Sequence, residues 1–479
     1  MTDARTAWRE VVRRWMVQPD GPGGERHWAP EVETAPRERL RDIQEEKLGV
    51  LVRYLYGESP YYRRLFDSLG LTPADIRSVD DLRKVPVLTK EELARDQAEA
   101  PPWGTAPPIT HELWSREGWL LTSTSGTTAM PRAFRLTRHD RDLLTWLYCR
   151  AFYAGGIRGG HVALNCFSYG PFSAFWGAHL ALNHMGSPVI PGGGMDTKRR
   201  ATFIGHYRPT ILICTPSYSL FLGETMRQMG HEPSTSGVRF LITAGEPGPC
   251  IPATKVRIES LWNAQIVDNY GSTEVAPAPL AYTCREEAQH RDRPVNLHLT
   301  EDLYVPEVLD PETWEPVAPG ERGVMVCTNL WSEGQPYLRY AIGDYLTVGT
   351  EGCECGRTHA HVIGGFSGRP DDMVKVRGLV LFPSTIEAVV RQVPDLTNEF
   401  MLVLTTGAGG LDELTVQVEA GAHVAAARYG ELGERVREAI RTHVGLRAEV
   451  EVLAPATLPR TEFKARRLTD RRGKPATPP

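Results

Sequence analysis

RFLITAGEPGPCIPATKVRIESLWNAQIVDNYG, residues 239–271, places a helical stretch between two short apolar runs, each of which ends in polar residues. The same alternation extends upstream through HVALNCF (161–167) and TILICTP (210–216). Short apolar runs that alternate with helices are typical of a buried, largely parallel sheet with helices on its faces. We therefore predict an α/β fold with a parallel sheet within residues 119–275.

The whole chain has the size and composition of a globular protein with more than one domain. It has 479 residues, of which 41% are hydrophobic and 24% charged, and its net charge is −5. This length exceeds what a single core usually supports, and the lack of a basic block argues against nucleic-acid binding. The charged start MTDARTAWREVVRRW lacks a signal stretch, no run predicts a membrane span, and the mostly scattered cysteines favour a reducing cytoplasm.

The last hundred residues read as a separate unit. DMVKVRGLVLFP (372–383) predicts a tight hairpin, and the helix that follows has Ser384 as its expected cap. Two further strands, an Arg- and Glu-rich helix and a final strand, AEVEVLA (448–454), complete a small α+β pattern. The predicted division is an N-terminal domain of residues 1–368 and a C-terminal domain of residues 369–479.

A hydroxyl-rich loop follows the apolar run WLL. TSTSGTTAMPR (Thr122–Arg132) is rich in Ser and Thr, contains one Gly and one Pro, and lacks the GK[ST] ending of a Walker loop. Its backbone N–H groups and hydroxyls suit a chain of phosphates. A flexible Ser/Thr linker is the alternative interpretation.

The next motif, DNYGSTE (Asp268–Glu274), ends in a carboxylate. The strand QIV runs into an aromatic residue, a Gly and two hydroxyls before Glu274. A Glu at a strand end is well placed to hold Mg²⁺ against phosphate oxygens, because a hard cation prefers oxygen ligands. An ordinary strand-to-loop turn is the alternative.

Three later motifs each supply polar residues with weak individual signals. In YLRYAIGDY, Asp344 can accept hydrogen bonds from ribose hydroxyls. In GRPDDMVKVRG, Arg369 could contact a nucleotide, and the paired Asp371 and Asp372 could act as a hinge. In LPRTEFKARR, Lys464 lies in a charged tail, where a lysine is usually solvated.

Taken together, in this order and at this spacing, the motifs closely resemble the adenylate-forming superfamily of acyl-CoA synthetases and, more narrowly, its phenylacetate–CoA ligase branch. That branch also carries segments similar to YYRRLFDSLGLTPADIRSVDDLRKVPVLTKEEL (61–93), SYGPFSAFWGAHLALNHMGSPVIPGGG (168–194), ICTPSYSLFL (213–222), TAGEPG (243–248) and CECGR (353–357). The resemblance spans residues 61–467. It implies an ATP-dependent, AMP-forming ligase with a large N-terminal domain of layered α/β sheets and a small mobile α+β C-terminal domain.

The resemblance also implies a role for each matching residue. ATP would bind through its phosphates to Ser125, Gly126, Thr127 and Thr128, with Glu246, Pro247 and Tyr270 near the adenine, and with Asp344 on the ribose hydroxyls and Arg369 beside it. Further cofactor-binding residues would be Asn269, Gly271, Ser272, Thr273 and Lys375. The implied catalytic residues are Thr127, the Mg²⁺ ligand Glu274, and Lys464, which would bridge the substrate carboxylate and the α-phosphate. A cation between two anions stabilises the charge gathered during attack. Rotation about Asp371 would then withdraw the lysine.

The chain departs from the family pattern at three positions. Ala129 stands where Gly is usual, and Arg132 stands where Lys or Thr is common, so the dynamics of the loop are expected to differ. Phe463 replaces the usual Gly before Lys464, which alters how the lysine is presented. Lys474 is the alternative candidate for the role of Lys464.

A separate constellation indicates a metal site. CECG supplies Cys353 and Cys355, and TCREEAQH supplies Cys284 and His290. Three Cys and one His predict a closed, structural Zn²⁺ site, with His298 as the rival fourth ligand. The alternatives are a buried thiol beside a plain turn, or a zinc-dependent hydrolase, which would need an open metal position and a nearby base.

The resemblance implies an acyl pocket lined by Tyr169, Phe172, Tyr218, Ala244 and Gly245. Aromatic walls suit a flat ring, so the expected substrate is an aromatic acid of the benzoate, anthranilate or arylacetate type. Coenzyme A is the default acceptor of the family, and an amine or a carrier protein is the alternative.

Two expectations concern the protein as a whole. Relatives in this branch are often homodimers, so a homodimer is one expectation, although the sequence leaves the oligomeric state open. A non-catalytic nucleotide-binding relative is the competing interpretation, and it predicts the loss of Glu274, Asp344 or Lys464. All three residues are present.

Overall fold

The computed structural model describes residues 3–16, 22–123, 132–170, 173–275, 278–366, 368, 373–376, 379–406, 412–460 and 467–472. The helices are α1 (Ala4–Trp15), α2 (Pro30–Glu33), α3 (Arg37–Glu58), α4 (Pro60–Leu69), α5 (Lys90–Glu99), α6 (His111–Glu117), α7 (Arg138–Ala154), α8 (Ser173–His184), α9 (Thr197–Tyr207), α10 (Pro216–Gln228), α11 (Pro252–Trp262), α12 (Arg285–Ala288), α13 (Pro383–Val390) and α14 (Tyr429–Val444). The strands are β1 (Gly118–Ser123), β2 (Ala133–Thr137), β3 (Ala163–Asn165), β4 (Val189–Pro191), β5 (Ile211–Cys214), β6 (Phe240–Ala244), β7 (Gln265–Tyr270), β8 (Ala281–Tyr282), β9 (Leu297–Leu299), β10 (Tyr304–Leu309), β11 (Arg322–Asn329), β12 (Tyr340–Gly349), β13 (His361–Val362), β14 (Val374–Val376), β15 (Leu379–Leu381), β16 (Leu396–Thr406), β17 (Asp412–Ala420), β18 (Glu449–Leu453) and β19 (Leu468–Asp470).

The large N-terminal domain is built on one sheet, whose strand order is β10-β11-β12-β13-β9-β8-β7-β6-β5-β3-β4. Strands β4, β3, β5, β6 and β7 run parallel to one another. Helices connect them, and β5 is buried along its whole length. This half of the sheet confirms the parallel α/β prediction.

The other half of the sheet is antiparallel. The pattern of GVMVCTN (323–329) predicts a distinct β-rich subdomain, whereas in the structure this stretch lies on β11, in the same sheet as the parallel strands. The connection exists because the ten-residue strand β12 pairs with β11 at one part of its length and with the short strand β13 at its end.

Long helices at the amino end cover the sheet. The sequence of residues 38–56 predicts an amphipathic helix, and α3 spans 22 residues there. This helix packs against other elements on more than one face. Helix α1 contacts it through Trp8, whose ring centroid lies 5.3 Å from that of Tyr54. Even Lys47 is fully buried, and its Nζ donates to the backbone oxygen of Asp302 at 2.6 Å. No helix in the described part of the chain has the length and apolar character needed to cross a bilayer.

The smaller C-terminal domain has its own hydrophobic core. The predicted hairpin is present as the antiparallel pair β14–β15. The predicted cap Ser384 is wrong: the N-cap is Phe382, two residues earlier, because Pro383 has the backbone angle suited to a first helical residue.

A four-stranded sheet of order β18-β17-β16-β19 completes this domain. The strand at 448–454 was expected to be the last, but β19 follows it and pairs in parallel with β16. Three residues are too few to show a strand period in the sequence.

Candidate active site

The carboxyl ends of β6 and β7 form one edge of the candidate site. Ala244 pairs with Asn269 in the register of these strands. Gly245 follows with a φ of 89°, a conformation that Gly adopts at little cost, and the chain turns there. In parallel α/β sheets, ligands bind outside the carboxyl ends of the strands, so the position of these residues fits the predicted nucleotide site.

Tyr270 and Asp344 come together although 74 residues separate them. The Tyr270 hydroxyl donates to Oδ2 of Asp344 at 2.8 Å, and both residues are buried. The ring of Phe366 lies 5.2 Å from that of Tyr270. The structure therefore unites two of the residues assigned to the nucleoside and adds an aromatic neighbour that no sequence motif indicated.

Asn269 contributes a buried acceptor with unused capacity. Its Nδ2 donates to the Val267 oxygen at 3.4 Å, but among the described residues its Oδ1 has no hydrogen-bond partner. Buried polar atoms are nearly always satisfied, so an unmatched acceptor beside Tyr270 fits a ligand that carries an amino group, such as adenine.

Glu246 is fixed to the first turn of α10. Its carboxylate accepts from the backbone N–H of Ser217 at 3.0 Å and from the Ser217 hydroxyl at 2.8 Å. The neighbouring Pro247 is half-buried and precedes a short 3₁₀ turn. Glu246 therefore stabilises this edge of the site, and its position near adenine stays a prediction.

The Glu274 carboxylate is held at both oxygens. Its Oε1 lies 2.8 Å from Nη2 of Arg132, and its Oε2 accepts from the Ser272 hydroxyl at 2.7 Å. Gln335 holds the backbone here, because its Nε2 donates to the carbonyl oxygens of Thr273 at 2.5 Å and Glu274 at 2.9 Å. The carboxylate and hydroxyl oxygens suit Mg²⁺, which would neutralise phosphate charge at this position.

The segment that carries Gln335 is itself anchored by a buried carboxylate. Asp140 accepts from the backbone N–H of Glu333 at 2.6 Å and of Gly334 at 3.1 Å. Burial raises the pKa of Asp140 to about 6. Only Gly fits at 334, since a Cβ atom there would lie 1.9 Å from the carbonyl oxygen of Arg135.

The strands on either side of the hydroxyl-rich loop are paired. β1 ends at Ser123, β2 begins at Ala133, and the two run antiparallel. Residues 124–131 themselves lie outside the described part of the chain.

Two predicted acyl-pocket residues have different surroundings. Tyr218 is buried in an apolar cluster, where its hydroxyl accepts from Arg200 at 2.6 Å and donates to Thr197 at 3.1 Å. Tyr169 is half-buried, with its hydroxyl 2.8 Å from Nδ1 of His179. The hydroxyl of Tyr218 is thus engaged within the protein, and a role for either ring in the pocket stays a prediction.

A cluster of three thiols and one imidazole lies apart from these residues. The ligand atoms of Cys284, His298, Cys353 and Cys355 all lie within 4.8 Å of one another. The predicted ligand His290 is exposed and outside this group, because it follows the end of α12, whereas His298 lies on the buried strand β9. The geometry therefore favours His298 over His290 as the fourth candidate ligand.

The local electrostatics of the cluster suit a metal ion. The neighbouring thiols of Cys284 and Cys353 hold the pKa of Cys355 well below its usual range. Backbone N–H groups of Glu287 and Arg357 donate to two of the sulfurs at 3.4 Å. Three sulfurs and one nitrogen would complete a tetrahedral Zn²⁺ shell, which leaves no open position for hydrolytic chemistry.

Comparison with known proteins identifies the family. The profile described as AMP-binding enzyme matches residues 68–330, and the profile described as AMP-binding enzyme C-terminal domain matches residues 378–472. The chain belongs to the AMP-binding enzyme family. It is an AMP-forming ligase, as the sequence predicted, and its large α/β and small C-terminal domains match those of such ligases.

The similar proteins cover nearly the whole chain. The phenylacetate-coenzyme A ligase of Thermus thermophilus is 34% identical over 93% of this chain and 99% of its own length. That of Escherichia coli is 31% identical over 92% of this chain and 97% of its own. Among solved structures, 2-hydroxyisobutyryl-CoA ligase in the postadenylation state with 2-HIB-AMP is 28% identical, with a TM-score of 0.88 over 97% of this chain and 96% of that chain.

Several residues named from the sequence lie outside the described residues. They are Ser125, Gly126, Thr127, Thr128, Phe172, Arg369, Asp371, Lys464 and Lys474. Lys375 lies on β14, and only its backbone is described. Their roles stay predictions.

Proposed function

We propose that the chain activates an arylacetic acid with ATP, releases pyrophosphate, and transfers the acyl group from acyl-AMP to coenzyme A. The observation that carries the ATP site is the Tyr270–Asp344 hydrogen bond beside the unmatched Asn269 acceptor. Four relatives that match 92–93% of this chain are phenylacetate-coenzyme A ligases, which favours an arylacetic acid over a benzoate or an anthranilate.

The nucleoside would bind at the carboxyl edge of β7. Tyr270 and Phe366 offer an aromatic surface for adenine, and Asn269 Oδ1 accepts from the adenine amino group. Asp344, whose Oδ2 accepts from the Tyr270 hydroxyl, also accepts from a ribose hydroxyl, since a carboxylate can accept several hydrogen bonds.

In the first half-reaction, an oxygen of the acid attacks the α-phosphorus of ATP, and the bond from that phosphorus to the bridging oxygen breaks. The electron pair leaves with pyrophosphate, whose charge Mg²⁺ neutralises when bound. Glu274 would orient that ion, and Lys464 would lie between the acid and the α-phosphate. In the second half-reaction, the thiol of coenzyme A loses its proton, attacks the acyl carbon and displaces AMP.

Movement of the C-terminal domain between the half-reactions is part of this proposal, with Asp371 as its hinge and the domain boundary at 368/369. The structure of 2-hydroxyisobutyryl-CoA ligase in the postadenylation state has a TM-score of 0.88 against this chain, and its structure in the thioesterification state has a TM-score of 0.70. The arrangement of the domains here is therefore closer to the former.

Incubation with ATP, Mg²⁺ and coenzyme A, followed by mass spectrometry, tests the acid and the acceptor together. The acids are phenylacetate, benzoate, anthranilate and 2-hydroxyisobutyrate, the last because of the structural relative. We expect phenylacetyl-CoA as the main product. Thioester from 2-hydroxyisobutyrate alone would refute the acid class. Accumulation of phenylacetyl-AMP without thioester would refute the acceptor and favour an amine or a carrier protein.

We also propose that Cys284, His298, Cys353 and Cys355 bind one structural Zn²⁺ ion. The support is the donor set and its compactness.

A further inference from the structure

Two arginines on the first helix contact carboxylates that are remote in the sequence. Arg5 and Arg9 lie one turn apart on α1. Both donate to Glu333, Arg5 through Nε at 2.5 Å and Arg9 through Nε at 2.8 Å and Nη2 at 2.6 Å. Both also donate to Oε2 of Glu117, at 2.7 and 2.9 Å. These four side chains form one ion-pair cluster, which we call the α1 clamp.

The two carboxylates of the α1 clamp lie next to two segments that serve the phosphate side of the candidate site. Glu117 is the last residue of α6 and directly precedes β1, which leads into the hydroxyl-rich loop. Glu333 lies two residues before Gln335, whose side chain holds the backbone of Thr273 and Glu274. The clamp therefore ties the strand before the proposed phosphate loop to the segment behind the proposed Mg²⁺ ligand.

Glu333 is the buried member of the cluster. Its side chain is fully buried, whereas those of Arg5 and Arg9 are 18% and 26% exposed. A buried carboxylate without a cation is costly, so the loss of both arginines would drive Glu333 toward water. Its backbone N–H donates to Asp140 at 2.6 Å, so such a shift would also disturb the anchor of the segment that carries Gln335.

Another ion pair of the same helix has no such connection. Arg14 on α1 pairs with Glu46 on α3 at 2.6 Å, and both side chains are partly exposed. Among the contacts described for it, Arg14 reaches no residue of the candidate site. The helix thus carries two kinds of cation, one that fastens it to α3 and one that reaches the segments around the site.

We propose that Arg5 and Arg9 are positioning residues for adenylation, and that the α1 clamp sets the distance between the hydroxyl-rich loop and Glu274 through Glu333 and Gln335. ATP with its bound ion needs both sides at once, since its β- and γ-phosphates would contact the loop while the ion contacts Glu274. AMP lacks those two phosphates and needs neither side. This inference rests on the proposed function, because it takes ATP to bind at these residues.

Nucleotide binding without the acid substrate tests the α1 clamp, because no turnover then occurs. Calorimetric titrations with ATP and with AMP, both in excess Mg²⁺, compare the wild type with the double variant Arg5→Gln/Arg9→Gln. We expect the double variant to bind ATP about fivefold or more weakly, and AMP less than about twofold more weakly. Arg9→Lys keeps the charge and loses the paired donors of the guanidinium, so its ATP affinity should lie between the two.

A double-mutant cycle tests whether the clamp acts through Gln335. The ATP affinities of Arg9→Gln, Gln335→Leu and the combined variant are compared with that of the wild type. We expect the combined loss to be smaller than the product of the two separate losses, because both changes release the same segment. Losses that multiply fully would overturn the connection through Gln335, and the proposal with it.

Arg14→Gln is the matched control, since it removes an ion pair of the same helix. It should change neither affinity, and urea denaturation measures how much each variant is destabilised. Equal weakening of ATP and AMP by the arginine variants, or lost stability with both affinities unchanged, would overturn the proposal and leave α1 with a structural role alone.

Two further outcomes are distinct from these. If the double variant does not fold, Arg9→Lys decides the question, and an unchanged ratio of ATP to AMP affinity in that variant would overturn the proposal. A wild type that binds neither nucleotide would overturn the proposed function, and this inference with it.

Discussion

Glu274 shows how a single functional residue depends on side chains that are remote in the sequence. Arg132 is 142 residues away and Gln335 is 61 residues away, yet one contacts its carboxylate and the other its backbone oxygen. Sequence motifs identified Glu274, Tyr270 and Asp344, because each stands in a recognisable local pattern. They did not identify Gln335 or Phe366, since a contact across so many residues leaves no local pattern.

Replacement of Gln335 by Leu should loosen Glu274 without removing it. The change removes the two donated hydrogen bonds to the backbone at 273 and 274. We expect the Mg²⁺ concentration for half-maximal pyrophosphate exchange to rise several-fold, with AMP affinity unchanged. Gln228→Leu, at an exposed position on α10, is the control. If AMP binding and pyrophosphate exchange were lost to the same extent, Gln335 would have only a general structural role and no specific role in positioning Glu274.

Asp268 should make the protein less stable as the pH rises. Burial raises its pKa to about 7 from a usual value of 3.8, so the folded state binds a proton that the unfolded state releases between these values. The stabilisation is complete below the unfolded pKa and is lost as the pH rises through the folded pKa. The difference in the free energy of unfolding between Asp268→Asn and the wild type should therefore be about 2 to 4 kcal/mol more favourable to the variant at pH 8 than at pH 4.

Urea denaturation at several pH values measures this difference. The Thr243 hydroxyl, which donates to Asp268 at 2.6 Å, can donate equally to the Asn oxygen. An Asn variant that is less stable than the wild type at pH 8 would show that burial of the ionised Asp268 carboxylate does not destabilise the protein.

At the scale of elements, predictability followed length. The parallel strands β5, β6 and β7 have four to six residues each, lie between helices, and were predicted from apolar runs. β8 and β13 have two residues each, which is too short for a period-2 pattern. These short strands nevertheless join the two halves of the sheet.

The thiol–imidazole cluster joins the N-cap of α12, the strand β9 and the segment that carries Cys353 and Cys355. Its two candidate histidines allow a direct comparison. His298→Ala should abolish Zn²⁺ binding and lower the melting temperature by several degrees, because the cluster fixes the segment that carries Arg357, which pairs with the buried Glu33 at 2.7 Å. His290→Ala is the control and should retain the metal.

Metal content by mass spectrometry, together with thermal melting, measures both effects. A wild type purified without zinc that also gains no stability on zinc addition would refute the site. If chelation stopped turnover while the fold and its stability were unchanged, the metal would be catalytic and the structural interpretation would be wrong.

At the scale of the whole molecule, polar contacts hold the small domain against the large one. Arg257 Nη1 donates to Asn398 Oδ1 at 2.8 Å, and Thr254 donates to Glu387 at 3.1 Å. Asn398 in turn donates to Glu224 on α10. The sequence predicted two domains from their composition, but it could not predict their arrangement, which depends on these single contacts.

Arg257→Ala should favour the second half-reaction at the expense of the first. The variant loses a contact of the arrangement that resembles the postadenylation state. We expect pyrophosphate exchange to fall about two- to fivefold, consistent with the loss of one hydrogen bond to a charged group. Thioester formation from supplied acyl-AMP should not fall. A parallel decrease in both rates would indicate that Arg257 serves general stability and does not bias the domain arrangement.

The exchange of labelled pyrophosphate into ATP, measured with phenylacetate and without coenzyme A, is the most direct test of adenylation by this chain. Wild type, Glu274→Gln and Lys464→Ala are compared. We predict exchange that requires phenylacetate and that falls by at least a hundredfold in both variants. Exchange that survives Lys464→Ala would keep the ligase but refute the role of that lysine. No exchange with phenylacetate or any other acid of the panel would refute the proposed activity.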